Sequence, residues 1–239
     1  MKLKITLKKS SSLIPFQYQH YLQGLFYSCF EQGTASYMHD TGHAYKDRHY
    51  KMFTFSLLEG HYHIQNQMLC FDTPITFYVT SIYADILNQI YASLMEKEEI
   101  MLGSNSFKIE SITPITKEEV NEGLNTYIIK TLSPLICYTT DEKRYVTYYD
   151  PHSVLFETLV EKNLSRKYAS LYQKEPIGES FKINKVIKSK GSVYRYKGLT
   201  FKGYMCTLEV IATHDFMTIA LHAGLGTKNG SGFGMVEIQ

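Results

Sequence analysis

The sequence predicts an α+β protein in which one arrangement of helices and strands occurs twice. Apolar periodicity gives the order strand, helix, strands, helix, strand over residues 2–113, and the same order can be traced over residues 126–238. The order strand–helix–strand–strand–helix–strand is that of the ferredoxin-like fold. We therefore expect two tandem ferredoxin-like domains, at residues 1–118 and 124–239, on either side of a polar boundary.

In the first half, residues 2–8 alternate polar and apolar side chains, as in a half-buried strand. A helix over 18–31 is predicted by a stripe of apolar residues at helical spacing, and Gly33 is expected to end it. The stripe consists of Leu22, Leu25, Phe26, Cys29 and Phe30. Further strands are expected at 52–58, 68–71, 75–80 and 106–113, with a second helix over 81–97.

In the second half, Asp150 followed by Pro151 predicts the start of a helix, because an N-cap residue and a proline at the first helical position suit that end. Asp215 is the expected cap of a short helix that ends at Gly224. A turn is expected at 190–192. Strands are predicted at 126–132, 181–189, 193–197, 200–211 and 233–238.

Composition and charge limit the classes of function. The 25 basic and 23 acidic residues leave a formal net charge of +2, so any argument for a nucleic-acid partner must rest on local charge. The cysteines form no CxxC pair, so the sequence does not imply a zinc ribbon. The chain opens on a basic strand and has no apolar run of about 20 residues, so we expect a cytoplasmic protein with reduced thiols and no membrane partner.

The strongest local charge is a basic ribbon in the second half, with interleaved aromatic residues. It contains seven basic residues and no Asp or Glu between its ends. They are Lys182, Lys185, Lys188, Lys190, Arg195, Lys197 and Lys202. Seven uncompensated charges favour binding to a phosphate backbone, which releases counterions. The alternative is a solvated strand face, where lysines protect a sheet edge from aggregation.

A glycine-rich run near the C-terminus is the second candidate. Five glycines in eleven residues are costly in a simple connector, and glycine lets a backbone approach a ligand closely and offer N–H groups to phosphates. The run follows a helix and precedes a strand, so it is not a dinucleotide-binding motif. A tight helix-to-strand connection explains it equally well, and both interpretations stay open. The residues expected to contact RNA here are Gly224, Gly226, Lys228, Gly230, Gly232 and Gly234.

Residues 37–51 are rich in histidine. The candidate metal ligands there are His39, Asp40, His43, Asp47 and His49, and His61 and His63 are further candidates. The segment has no HExxH motif, and Gly42 disfavours a rigid helix, so the pattern is a poor metal site. The other interpretation is metal-free RNA cleavage, in which the RNA 2′-hydroxyl is the nucleophile and the protein supplies an acid and a cation. Histidine suits the acid because its unperturbed pKa is near ~6.5.

Together these segments resemble the CRISPR-associated repeat-processing endoribonuclease family, the sixth Cas family and part of the RAMP superfamily. The similarity extends along the whole chain. It rests on the opening strand, on the first helix as far as Tyr27, on Tyr37-Met-His39, on Lys51-Met-Phe-Thr-Phe, and on the final glycine-rich run with Gly232-Phe-Gly234. The last motif also occurs in non-catalytic relatives, so it indicates the superfamily more than the activity.

The resemblance implies RRM-like domains, no cofactor, and metal-independent cleavage of precursor CRISPR RNA within its repeats, leaving a 2′,3′-cyclic phosphate and a 5′-hydroxyl. The family's Tyr, His and Lys set matches Tyr27, His39 and Lys51. We expect His39 to be the general acid and Lys51 to stabilise the phosphorane. Tyr27 is expected to orient the 2′-hydroxyl, because a free pKa near ~10 makes it a weak base. The segment before Lys51 is longer than in the family, and its accessory candidates are His43, Lys46 and Arg48, of which His43 is the alternative general acid.

The expected partner is CRISPR repeat RNA, with subunits of a CRISPR effector complex as further candidates, and the protein is expected to be a monomer or a homodimer. One alternative function is a non-catalytic RNA-binding RAMP subunit of an effector complex, which would share the fold, the basic ribbon and the glycine-rich run. A third interpretation is a metal-dependent phosphoesterase that uses the histidine cluster.

Overall fold

The first half folds around a five-stranded antiparallel sheet. The computed structural model describes residues 1–10, 13–31, 33, 43–46, 48–116, 119–178 and 180–239, with the backbone alone at 43, 44 and 48. In spatial order the strands of the first sheet are β5 (Phe53–Phe55), β8 (Ile75–Ser81), β1 (Lys2–Leu7), β10 (Asn105–Ile115) and β9 (Glu99–Leu102). The helices α1 (Gln19–Ser28) and α2 (Ala84–Met95) bury their apolar stripes against it.

The second half repeats this arrangement. In spatial order its sheet consists of β14 (Phe181–Tyr196), β15 (Leu199–Thr213), β11 (Leu124–Thr131) and β16 (Val236–Ile238). The helices α3 (Val154–Tyr172) and α4 (His214–Ala223) pack on one face of it. Numbered within each half, both sheets run 2–3–1–4, with β9 added at one edge of the first. The predicted pair of tandem ferredoxin-like folds is therefore confirmed.

Both halves also contain small antiparallel sheets of two or three short strands. In the first half β2 (Leu13–Pro15), β7 (Met68–Phe71) and β6 (Tyr62–Gln65) form a small sheet, and β3 (His43–Tyr45) pairs with β4 (Arg48–Tyr50). In the second half β12 (Tyr138–Thr140) pairs with β13 (Val146–Tyr148). The hairpin β3–β4 contacts helix α3, so an insertion of the first half docks on the second.

Hydrogen bonds join the two halves. The Thr54 hydroxyl donates to the carbonyl of Phe233 at 3.1 Å, and Thr80 Oγ1 lies 2.9 Å from Nδ1 of His222. β10 ends at Ile115 and β11 begins at Leu124, while the domain boundary expected between 118 and 124 stays a prediction. In the part of the chain described here, no helix is long and apolar enough to cross a membrane.

The predicted start of the long helix in the second half is wrong. α3 begins at Val154, and Ser153 occupies the N-cap position. The Asp150 carboxylate instead accepts the backbone N–H of His152 at 3.0 Å, which makes a turn before the helix. In the first half α1 also ends sooner than expected, at Ser28 rather than near Gly33.

The predicted turn at 190–192 is also wrong. β14 is one continuous strand, and its hairpin with β15 turns at Lys197 and Gly198, whose φ values are 48° and 78°. Positive φ at both central residues is what a two-residue hairpin turn matching the strand twist requires. Gly191 has a different role, because a Cβ there would lie 2.9 Å from the ring of Tyr204. The glycine accommodates an aromatic ring within a strand.

Candidate active site

A cleft of about 370 Å³ opens where the two halves meet. We call it the active-site cleft. Its walls are α1, the segment that follows β4, α3, and the glycine-rich loop at 224–234. Two of the three predicted catalytic residues, Tyr27 and Lys51, line it together with Lys228 of the loop. The cleft therefore gathers residues that are far apart in sequence and that belong to both halves.

Tyr27 lies on α1 and is held by aromatic neighbours. Its ring meets Phe30 and Phe53 nearly edge-on, with ring centroids 5.6 and 5.9 Å away. Burial, with a smaller contribution from the nearby Tyr196 phenol, raises the pKa of Tyr27 to about 12. The side chain is therefore a neutral phenol at physiological pH, which can donate or accept a hydrogen bond but is a poor source of phenolate.

Lys51 stands at a bend between β4 and β5. The next residue, Met52, is buried and has a φ of 53°, a left-handed conformation that non-glycine residues seldom adopt. The Met52 carbonyl accepts the Ser81 hydroxyl at 2.9 Å and the backbone N–H of Ile82 at 3.2 Å, so the end of β8 stabilises the bend. On the other side, a Cβ at Gly230 would lie 3.1 Å from the Lys51 stem. The bend and the loop together fix where the lysine enters the cleft.

The histidine-rich segment is described in part. His39 lies outside the described residues, and His43 is described in its backbone alone. His49 lines the active-site cleft and is the one histidine on its wall among the described residues. Lys46 lies at the turn of the β3–β4 hairpin with its ammonium 4.9 Å from the centroid of the Tyr45 ring, away from the cleft wall. Among the extra groups whose side chains are described, Lys46 and His49, it is therefore His49 that lies near Tyr27 and Lys51.

The glycine-rich loop is tightly packed between the two halves. Gly226, Gly232 and Gly234 all have positive φ. A Cβ at Gly232 would lie 2.3 Å from the Phe55 ring, and one at Gly234 would lie 1.9 Å from the carbonyl of Leu225. These glycines are required by packing, so valine at 226 or 232 would disturb the fold along with any RNA contact. The loop nevertheless forms one wall of the cleft, so the two interpretations of it are compatible.

Lys167 is a residue of this site that the sequence analysis missed. It is 2% exposed, and its ammonium donates to the carbonyls of Ala223 and Gly224 and to the Asn229 side-chain oxygen, at 3.1, 2.6 and 2.8 Å. Burial lowers the pKa of Lys167 to about 7. The three acceptors match the three N–H groups of an ammonium, so the lysine holds the start of the glycine-rich loop in place. Lys167 is three residues after Leu164, which places it on the apolar face of α3. This spacing was the one sign in the sequence that the lysine is buried.

Gln23 links three walls of the cleft. Its Nε2 donates to the Gly230 carbonyl at 2.8 Å and to Ser231 Oγ at 3.3 Å. Its Oε1 accepts the hydroxyl of Tyr196, which stands at the tip of the β14–β15 hairpin. One side chain thus connects α1, the loop and the basic ribbon. Gln23 precedes Tyr27 by one helical turn on α1, and nothing in the sequence predicted this role.

Most of the basic ribbon lies away from this cleft. Along β15, every second residue is buried under α3 and α4, and the residues between them face the other side of the sheet. Four lysines of the ribbon pair with these outward-facing residues of β15. These lysines therefore lie on the open face of the second sheet. Two β-bulges in β14 keep lysines at a spacing of three on one face. We call this group the lysine stripe, and it consists of Lys182, Lys185, Lys188 and Lys190. The active-site cleft is on the helical side, and the described basic side chains there include Lys51 and Lys228.

The described histidines form no metal site. No group of three or more His, Cys, Asp or Glu side chains in the described part of the chain has the arrangement of metal ligands. His61 and His63 both lie near one Asp72 oxygen, at 3.1 and 3.3 Å, on an exposed surface. That cluster is outside the active-site cleft.

Comparison with known proteins identifies the family. The family model described as CRISPR-associated protein Cas6, C-terminal, matches residues 116–238, and its N-terminal counterpart matches residues 13–113. A CRISPR-associated endoribonuclease Cas6 of Pyrococcus furiosus is 25% identical over 95% of this chain and 84% of its own length. The endoribonuclease Cas6 1 of Methanocaldococcus jannaschii is 26% identical over 99% of this chain and 92% of its own length.

Solved structures show the same fold. The product of a Cas6-related gene from Pyrococcus furiosus superimposes with a TM-score of 0.86 at 22% identity, covering 100% of this chain and 98% of that one. A RAMP protein described as binding different RNA substrates gives 0.84 at 21% identity, with 100% and 99% coverage. Since the C-terminal family model matches more than half of the chain and the N-terminal model matches most of the remainder, this chain belongs to the CRISPR-associated protein Cas6 family.

Proposed function

We propose that this chain is a metal-independent endoribonuclease that cuts precursor CRISPR RNA within its repeats. The RNA 2′-hydroxyl attacks the adjacent phosphate, and the products carry a 2′,3′-cyclic phosphate and a 5′-hydroxyl. The observation that carries the proposal is that Tyr27 and Lys51 line one cleft with the loop residue Lys228. The relatives from Pyrococcus furiosus and Methanocaldococcus jannaschii are named endoribonucleases, which supports the same activity here.

The chemistry assigns each residue a role. Lys51 supplies positive charge to the non-bridging oxygens as negative charge develops on the phosphorane, which is the usual contribution of a fixed cation to such a transition state. Tyr27, neutral because its pKa is raised, orients the 2′-hydroxyl through a hydrogen bond, and the proton that the 2′-oxygen loses on attack passes to solvent water. His39 protonates the departing 5′-oxygen. His49, which lines the same cleft, is the competing candidate for that proton transfer.

RNA binding is divided over two surfaces in this proposal. The scissile phosphate enters the active-site cleft beside Lys228 and the glycine-rich loop, while the lysine stripe holds another part of the same strand on the open face of the second sheet. A solved relative described as a RAMP protein binding different RNA substrates supports an RNA ligand. The substrate is a repeat RNA, and subunits of a CRISPR effector complex are its proposed further partners.

The test is to incubate the purified chain with repeat RNA, with and without EDTA, and to identify the ends of the products. Cutting that resists EDTA and leaves a 2′,3′-cyclic phosphate supports the proposal. Binding without cutting would instead indicate the non-catalytic RAMP subunit. Cutting that EDTA abolishes would contradict the metal-independent mechanism and favour a phosphoesterase.

A further inference from the structure

A second, larger cleft of about 820 Å³ opens at the N-terminal end of α1. We call it the side cleft. Its walls are the first turn of α1 with the residues just before it, the turn between β6 and β7, and the tip of the β14–β15 hairpin. Both halves of the molecule therefore contribute to it, and the proposed cleavage mechanism assigns it no role.

Two polar atoms in the side cleft are buried without a partner. Gln19 is 3% exposed, and neither its Nε2 nor the Nδ1 of His20 has a hydrogen-bonding partner among the described residues. Both residues line the cleft. An unpaired buried polar atom costs stability, and the large majority of buried side-chain polar atoms in folded proteins are paired. Their position in an open cleft indicates that a ligand supplies the missing partners.

The other walls have the chemistry that binds a nucleotide. Arg195 is exposed at the hairpin tip, and Phe16 keeps 46% of its surface exposed. α1 has no acidic residue in its first turn and no side-chain cap, so the positive end of its dipole faces the side cleft without a carboxylate beside it. Among the described residues, none that lines the side cleft is acidic. A flat apolar surface, a cation and unpaired hydrogen-bonding atoms are what a single-stranded nucleotide requires.

The side cleft is next to the active-site cleft along the same helix face. His20 and Tyr27 are seven residues apart, which is two helical turns and about 10 Å along the axis of α1. The hairpin makes the same connection, because Arg195 lines the side cleft and the following residue, Tyr196, donates to Gln23 in the active-site cleft. A short length of single-stranded RNA can therefore occupy both clefts at once.

We propose that the side cleft binds an unpaired nucleotide close to the scissile phosphate and recognises its base. Gln19 Nε2 donates to an acceptor on the base edge, and His20 Nδ1 forms a second bond to it. Phe16 stacks on the base, and Arg195 with the N-terminus of α1 holds the phosphate. The inference rests on the proposed function, since it gives the endoribonuclease a base preference beside its cleavage position.

The first test combines folding stability with sequence preference. Gln19→Met removes an unpaired buried amide, so the melting temperature should stay at or above that of the wild type. The same change should abolish the base preference at one position when bound sequences are selected from a randomised single-stranded RNA library. The library carries 2′-fluoro groups so that no strand is cut. A lower melting temperature together with an unchanged base preference would overturn the inference.

Two exposed substitutions keep the test decisive even if Gln19→Met misfolds. Phe16→Ala should weaken RNA binding by roughly tenfold, the usual loss for one stacked base. Arg195→Met should also weaken RNA binding, and its effect should be larger in low salt than in high salt. Their matched controls are Tyr145→Ala and Arg144→Met, exposed changes of the same type on the β12–β13 hairpin. Equal effects from the variants and their controls would contradict a nucleotide site.

Cleavage of repeat RNA separates the two proposals. If the wild type cuts repeat RNA and the Phe16 and Arg195 variants bind and cut it normally, the side cleft is filled by water and this inference fails alone. If the wild type cuts nothing but shows a base preference that Gln19→Met abolishes, the proposed function fails and the side cleft remains an RNA site.

Discussion

The two halves of this chain share a strand order and differ in what they add to it. The first half supplies Tyr27 from its first helix and Lys51 from a bend before an ordinary strand. The second half supplies a hairpin whose strands extend well beyond the neighbouring β11, and a glycine-rich loop packed against the first half. The shared strand order therefore provides the framework of both halves. The candidate catalytic and RNA-binding residues belong to the segments in which the halves differ.

The largest expected effect belongs to the first half. Losing a general acid typically slows a reaction by about 10²–10⁴-fold while binding is retained. His39→Ala should therefore bind repeat RNA normally and cut it that much more slowly. The matched control is His49→Ala, which removes a histidine that lines the active-site cleft. A larger defect in the control, measured in single-turnover assays, would transfer the acid role to the β3–β4 hairpin.

The next effect is on the second half alone. Lys167→Met should lower the free energy of unfolding by about 2–4 kcal/mol, because it leaves the acceptors at Ala223, Gly224 and Asn229 unpaired. Lys162→Met, an exposed change on the same helix, is the control and should have little effect. Urea titrations of both variants would check this, and equal midpoints would show that the buried lysine does not hold the loop.

The interface between the halves should be sensitive to acid. Burial, with the amino terminus and Lys2 nearby, lowers the pKa of His222 to about 4, below its ordinary 6.5. The unfolded chain therefore binds the proton more readily, so stability is present above pH 6.5 and is lost as pH falls towards 4. The loss should approach about 3 kcal/mol. His222→Asn, whose amide can still form a hydrogen bond with Thr80, should lose less stability over this range in urea titrations at pH 7 and pH 4.5. An equal loss would assign the acid sensitivity elsewhere.

The smallest effect concerns the lysine stripe. Neutralising Lys185, Lys188 and Lys190 together should flatten the dependence of RNA affinity on salt, by about 0.7 in log–log slope for each phosphate that no longer has a lysine beside it. Affinity for all RNA sequences should fall, since binding to phosphates carries no sequence information. An unchanged slope would show that RNA stays on the helical side of the second half and does not cross the open face of its sheet.

The sequence predicted the scaffold well because its order depends on local periodicity. The strands and helices of both halves follow from alternating and helical apolar patterns, and the same apolar residues form the buried faces in the folded protein. The turn of the basic hairpin was misplaced because Gly191 and Gly198 look alike in sequence. Only the cross-strand register shows that Gly191 faces the ring of Tyr204, while Gly198 lies in the turn.

The site was less accessible to sequence. Tyr27 and Lys51 came from the family resemblance, since no local pattern brings a helix and a distant bend together. Lys167 was read as part of an ordinary helix, because its burial depends on carbonyls of a loop more than fifty residues later. The position of the lysine stripe on the open face of the sheet likewise depends on two β-bulges, which the sequence does not predict.

The most direct test of the account uses RNA with sulfur in place of the 5′-oxygen at the scissile bond. A thiolate leaves with little need for protonation, because a thiol has a pKa near ~8.5. We expect this RNA to restore fast cutting to His39→Ala but not to Lys51→Ala, whose missing charge the sulfur cannot replace. Restoration of His49→Ala instead, with no rescue of His39→Ala, would contradict the assignment of the general acid.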